Sequence, residues 1–185
     1  MAEKKDLRVQ KTHKFAYAAL FELMEQKPFD DISVTDLCQK AMIHRTTFYN
    51  HFEDKSHLLR CALEAMQEEI IHKIPQMADP QVFFMAVLDR VLDHLYEKRL
   101  TYSRILRANN GGDVTRVFHR YIAQLLTEDL EYLEQKGVRH PSGIPSDALA
   151  EFYTGAFLSL ACWWLENDLP ISKDQLRHYV YELIQ

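Results

Sequence analysis

The sequence predicts an all-α protein of about nine helices, and three observations carry that expectation. Pro28, Pro75, Pro80, Pro141, Pro145 and Pro170 all fall between segments of helical apolar periodicity, and Gly111, Gly112, Gly137 and Gly143 fall in the same breaks. No stretch alternates apolar and polar residues for long, so half-buried strands leave no signal. No glycine-rich turn follows a Val/Ile run, which leaves a Rossmann or phosphate-loop reading without support.

The elements follow in order. Phe15, Ala16, Ala19, Leu20, Leu23 and Met24 form the apolar stripe of a first helix that ends before Pro28. In DDISVTDLCQKA, Ser33 and Asp36 have the spacing of a capping box, and Val34, Leu37, Cys38 and Ala41 give the short helix its buried face. Ala41, Met42 and Ile43 break it. HRTTFYNHF then forms a second short helix anchored by Phe48 and Phe52, at i and i+4. A fourth helix starts near Asp54 and Lys55 and carries Leu58, Leu59, Ala62, Leu63, Met66 and Ile70 toward Pro75. After Pro80 a long helix runs through Phe83, Phe84, Val87, Leu88, Val91, Leu92 and Leu95, and a shorter one covers Tyr102–Ala108 before Asn109, Asn110, Gly111 and Gly112. A helix from Val114 to Lys136 closes at Gly137, where glycine suits a C-terminal cap. Ser146–Asn167 and a last helix from Ser172 complete the chain. The division falls in the fourth helix, giving a head of residues 1–55 and a body of residues 56–185.

Composition narrows the function. With 185 residues, 47% hydrophobic and 26% charged, the chain has globular proportions and can bury a real core. A net charge of -5 does not suit a nucleic-acid-binding protein taken whole. The charge is uneven: residues 1–60 carry ten Lys/Arg against nine Asp/Glu, and residues 61–185 carry twelve against eighteen. The acid lies in the body, and the head remains compatible with DNA. Cys38, Cys61 and Cys162 are far apart, and the nine histidines include no HxxxH or HExxH, so neither disulfides nor a metal site are expected. No cofactor is expected either. Cys38 and Cys162 lie on apolar stripes and read as inert thiols, which argues against an enzyme. MAEKKDLRVQK is charged and unlike a signal peptide, and the apolar run Ala156–Leu165 is too short to span a bilayer. A cytoplasmic protein without a membrane partner is the expectation.

The two short helices cannot be a core by themselves. Set against the first helix they make a helix-turn-helix domain, whose second short helix enters the major groove of DNA. That helix is polar over most of its surface, through His44, Arg45, Thr46, Thr47, Tyr49, Asn50 and His51. Hydroxyls, rings and one arginine suit phosphates and base edges. Alternatives stay open for Tyr49 as a partly buried aromatic with a free hydroxyl, for His51 as a plain surface histidine and for Asn50 as a solvated side chain.

IHRTTFYNHFEDKSHLL resembles the signature of the TetR family of transcriptional regulators, in which a hydroxyl-rich recognition helix runs into TFYxHFxxKxxLL. DDISVTDLCQKA and THKFAYAALFELMEQKPFDD resemble that family's preceding helices, so the likeness covers about residues 8–63. The resemblance implies that Thr47, Tyr49 and His51 lie along the DNA backbone, with Tyr49 as phosphate donor. Lys55 would meet a phosphate beside the amides of the fourth helix. Arg45 and Thr46 would face base edges, and Thr35 would approach backbone or base. Lys4, Lys5, Arg8, Lys11 and Lys14 would form a basic arm suited to backbone or minor-groove contact, with a plain soluble tail as the alternative. Where the family often has glycine this chain has Met42, which would cost about 1–2 kcal/mol in a left-handed turn, with the side chain partly packed.

The body reads as regulatory. The Ser146–Asn167 helix is apolar over too much of its circumference for one buried face, which predicts packing against a second copy. The resemblance implies a four-helix dimer interface. Its candidates are Phe152, Ala156, Leu160, Trp163, Trp164, Tyr179 and Leu183, with Gly155 and Ala161 permitting close approach; an entirely intramolecular core is the alternative. The family also implies a pocket for a small-molecule effector, with Met66, Ile70, Phe84, Arg90, His94 and Tyr102 as candidates, although plain core or a solvated Arg90/His94 pair would leave the same pattern. The expected function is a dimeric transcriptional repressor released by an effector from a palindromic double-stranded DNA operator. An activator, a regulator controlled by a partner protein, and a helical interaction module without DNA binding are the alternatives.

Overall fold

Nine α-helices are formed among the described residues: α1 (Leu7–Met24), α2 (Val34–Ala41), α3 (Arg45–His51), α4 (Lys55–His72), α5 (Pro80–Glu97), α6 (Arg99–Ala108), α7 (Asp113–Gln135), α8 (Ser146–Glu166) and α9 (Lys173–Ile184). A 3-10 turn, Phe29–Asp31, joins α1 to α2. The structure, a computed structural model, describes residues 7–72, 80–109, 113–135, 137 and 143–184, with backbone only for 71, 72, 80–84, 113 and 184. The Phe83 and Phe84 side chains and the Lys4–Lys5 part of the basic arm lie outside the described residues.

Local chemistry starts and stops the head helices. Ser33 Oγ accepts from the Asp36 amide (3.1 Å), and the Asp36 carboxylate accepts from the Ser33 amide (2.9 Å), so the capping box is complete. The ammonium of Lys27, 2.8 Å away, and the amide and hydroxyl of Ser33 hold the Asp36 carboxyl well below the usual carboxylate range. At the other end of α2, Met42 adopts φ 54° and ψ 42°, and the Ile43 amide reaches back to the Cys38 carbonyl at 3.0 Å. The left-handed turn therefore survives without glycine. Its side chain, however, is 85% exposed rather than packed, so no burial offsets the strain. Met42→Gly should raise the stability of the protein by about 0.5–1.5 kcal/mol in urea unfolding, and a loss of stability would show that Met42 has a contact in solution.

Two cores organise the described residues. Ala16, Leu20 and Met24 of α1 pack with Leu37, Cys38, Phe48 and Phe52 and with Leu58, Leu59, Ala62 and Leu63 of α4. Ile105 of α6 and Val114 of α7 complete the same cluster, so the head's interior is closed by residues from the body. Asn109, just after α6, adds a polar tie. Its Oδ1 accepts from the Phe29 amide (2.7 Å), and its Nδ2 donates to the carbonyls of Ile105 (2.7 Å) and Met24 (3.3 Å). An Arg104–Glu25 pair at 3.0 Å lies beside it. The second core holds Leu92, Trp164, Leu165 and Leu176, joined by the half-buried Tyr102, Phe157 and Leu160.

The two neighbouring tryptophans of α8 have opposite fates. Trp163 is 42% exposed, whereas Trp164 is fully buried and its indole N–H donates to the Ile171 carbonyl at 2.8 Å. Trp164 is thus a residue of the chain's own core, not of a surface for a second copy. Ala161 is buried too, and a Cβ at Gly155 would lie 3.6 Å from His119, so both are packed within the chain rather than offered outward. Phe152, Ala156, Ser159 and Trp163 are exposed at i, i+4, i+7 and i+11, and Tyr179 and Leu183 of α9 are exposed as well. By length and composition alone α8 is long and apolar enough to cross a membrane. Its Leu149, Ala150, Ala161, Trp164 and Leu165 are nonetheless buried within the chain.

Candidate nucleic-acid interface

The α2–turn–α3 unit separates its residues by face. Phe48 and Phe52 sink into the first core at 0% and 1% exposure, and with that face fixed Arg45, Thr46, Tyr49 and Asn50 of α3 turn outward. His44, Arg45, Thr46, Tyr49 and Asn50 are exposed, and Thr35 and Gln39 of α2 are exposed beside them. Thr35, Gln39, Met42, Ile43, His44 and Arg45 line a shallow open concavity between the two helices. Three of the expected residues meet directly. The Arg45 guanidinium donates through Nη1 to Thr35 Oγ1 (3.2 Å) and more weakly through Nη2 to the Tyr49 hydroxyl (3.5 Å), and its Cζ lies 6.0 Å from the Tyr49 ring centre.

Other expected residues are differently engaged. Thr47 is half-buried. His51 is half-buried, with its ring edge-on to His13 of α1 at 5.1 Å. Lys55 turns back on the head: its ammonium donates to the carbonyls of Phe29 (2.9 Å) and Asp30 (2.8 Å) and sits 4.8 Å from the Phe29 ring centre. Two of its three N–H groups are thereby taken up by the 3-10 turn. Gln39 was not singled out by the sequence reading. Its signal was its place one turn after Thr35 on the same helix, next to the break.

In the body the structure brings together Met66, His94 and Tyr102. The Tyr102 hydroxyl lies 2.8 Å from His94 Nε2 and 3.3 Å from the Met66 sulfur, and burial pushes its ionisation well above the usual tyrosine range. Ile70 is half-buried on α4. Arg90 pairs with Asp93 at 3.8 Å.

A polar recognition helix, held at a fixed turn on a three-helix head and carried by a larger helical body, defines a helix-turn-helix regulator. Residues 17–62 match the family described as bacterial regulatory proteins, tetR family, and residues 84–185 match a transcriptional regulator C-terminal region. The chain belongs to the TetR family of transcriptional regulators. It is 28% identical over 101 residues to the HTH-type dhaKLM operon transcriptional activator DhaS of Lactococcus lactis, a match covering 46% of this chain and 54% of that protein. It is 31% identical over 98 residues to an HTH-type transcriptional regulator of Saccharopolyspora erythraea, covering 51% of this chain and 42% of that one. The matches thus span about half the length of these relatives.

Among solved structures, a TetR transcriptional regulator from Streptococcus agalactiae shares the fold with a TM-score of 0.66 at 23% identity, covering 98% of this chain and 97% of that one. The TetR-family repressor FadR of Thermus thermophilus, solved with lauroyl-CoA, does so with a TM-score of 0.60 at 16% identity, covering 93% and 92%.

Proposed function

We propose that the chain acts as a homodimer that binds a near-palindromic double-stranded DNA operator through α3 and represses transcription until an effector releases it. One observation carries the reading: the polar side chains Thr35, His44, Arg45, Thr46, Tyr49 and Asn50 crowd the exposed side of a helix pair whose apolar residues are spent on the core. Thr47, His51 and Lys55 flank that surface as candidate backbone contacts. Two copies of α3 would enter successive major grooves about 34–36 Å apart. Joining the copies is the role proposed for Phe152, Ala156, Leu160, Trp163, Tyr179 and Leu183. An effector would act on the body around Met66, His94 and Tyr102, with Ile70, Phe84 and Arg90 as further candidates, by binding better to a dimer whose heads are out of register. The working division remains a head of residues 1–55 and a body of residues 56–185, and the proposed compartment is the cytoplasm.

A second reading, activation of transcription, is favoured by the name of the Lactococcus relative, an operon activator. Reporter expression from the bound promoter, with and without the gene, separates the two by its sign. Gel-shift titration over a salt series on the upstream DNA tests the shared premise. Specific binding that weakens steeply with salt is expected, and no such band would overturn it. Arg45→Ala should cost about 1–3 kcal/mol of discrimination at one base pair of each half-site while leaving non-specific affinity nearly unchanged. An unaltered base preference would remove Arg45 from direct readout.

A further inference from the structure

We infer that Thr35 is a positioning residue: from α2 it holds the Arg45 guanidinium of α3 in the orientation that reads a base. The inference rests on the proposed DNA-binding role of this surface. Arg45 stands at the first position of α3, exposed, on a side chain with many rotamers. Such a side chain, left alone, would have to be ordered at the moment of docking, and that ordering works against specific binding.

Here two groups order it in advance. Thr35 Oγ1 accepts from Nη1 at 3.2 Å and the Tyr49 hydroxyl accepts weakly from Nη2 at 3.5 Å. A guanidinium has five N–H donors, so these two contacts leave three, and a bidentate contact to the O6 and N7 atoms of guanine needs two. The anchors can stay in place while the base is read. Tyr49 sits on the same helix as Arg45 and can only set its rotamer. Thr35 sits on the other helix, ten residues earlier, and fixes the fork relative to the whole helix pair. The hydrogen of each anchoring hydroxyl also stays available to a phosphate, so reading and docking can share these groups.

The test is a double-mutant cycle on DNA. The full-length protein selects its preferred duplex from a randomised pool, and dissociation constants are then measured for that duplex and for versions with each base pair replaced. Thr35→Val is expected to lower discrimination about two- to tenfold at the base pair that Arg45→Ala identifies, with discrimination at the other positions unaffected. In the Arg45→Ala background Thr35→Val should leave discrimination unchanged, and with Arg45 in place Thr35→Ser, which keeps the hydroxyl, should retain it. Thr35→Ala serves the same cycle if the valine variant does not fold. An equal loss in both backgrounds would mean that Thr35 meets DNA by itself, and no loss in either would mean that the anchor is idle. Either result overturns the inference while the DNA-binding reading stands. If the parent protein selects no duplex at all, that reading falls and the inference with it.

Discussion

Trp163→Glu is expected to give a folded monomer whose affinity for a two-half-site operator has fallen on the order of a hundredfold or more. Trp163 is 42% exposed and continues a stripe with Phe152, which is 68% exposed, and with Ala156, while Leu183 of α9 is 76% exposed. Aromatic side chains left this open on adjoining helices gain most by covering one another, and a two-fold axis lets one surface do so with its own copy. A carboxylate there would have to be buried without a partner, which a dimer cannot tolerate and a monomer does not notice. The DNA effect follows from the valency of the proposed dimer. Once one head is docked, the second binds at an effective concentration in the millimolar range or above, and a monomer loses that gain. Light scattering reads the mass, circular dichroism checks the helix content, and gel shift reads the affinity. A dimer that persists in Trp163→Glu would move the interface to another face.

The next residue along the chain should behave in the opposite way. Trp164→Ala is expected to destabilise the fold by about 3–5 kcal/mol, as large aromatic deletions from cores do. That corresponds to a melting temperature lower by on the order of 10 °C. Trp164 is fully buried, stacks on Tyr96 with ring centres 6.2 Å apart, and satisfies the Ile171 carbonyl at the entry to α9. The substitution empties the site and leaves that carbonyl without its donor. Trp164→Phe, which keeps much of the volume but not the N–H, should fall between the two. A melting temperature within about 2 °C of the parent protein would show that α9 does not depend on this contact.

This pair of residues shows where sequence reading runs out. The sequence places both tryptophans on the surface between copies, because a helix apolar nearly all round gives its period no contrast. Two faces of α8 are apolar, and only the folded chain shows which one it keeps for itself. The head was more legible because its determinants are local. The Ser33–Asp36 box and the Phe48/Phe52 spacing each involve residues within one helix turn, and both formed as expected. Met42 was anticipated as a left-handed cap, yet its exposure depends on neighbours that no local pattern describes. Lys55 carried a strong family signal for phosphate, but its contacts with Phe29 and Asp30 cross 26 and 25 residues of sequence. Asn109 looked like nothing more than a helix stop, and its bond to Phe29 spans 80 residues.

That last tie bears on how such proteins can be recombined. The 3-10 turn after α1 is gripped from two directions, by Lys55 on its carbonyls and by Asn109 on its Phe29 amide, and Ile105 and Val114 close the interior beneath it. A chimera that grafts this head onto a relative's body carries over an amide made to meet an asparagine and a socket shaped for an isoleucine and a valine. A graft that also transplants residues 104–114 keeps the lock with its key. The seam for exchanging this head therefore runs through two separate stretches of chain, and a single crossover within α4 leaves one of them behind.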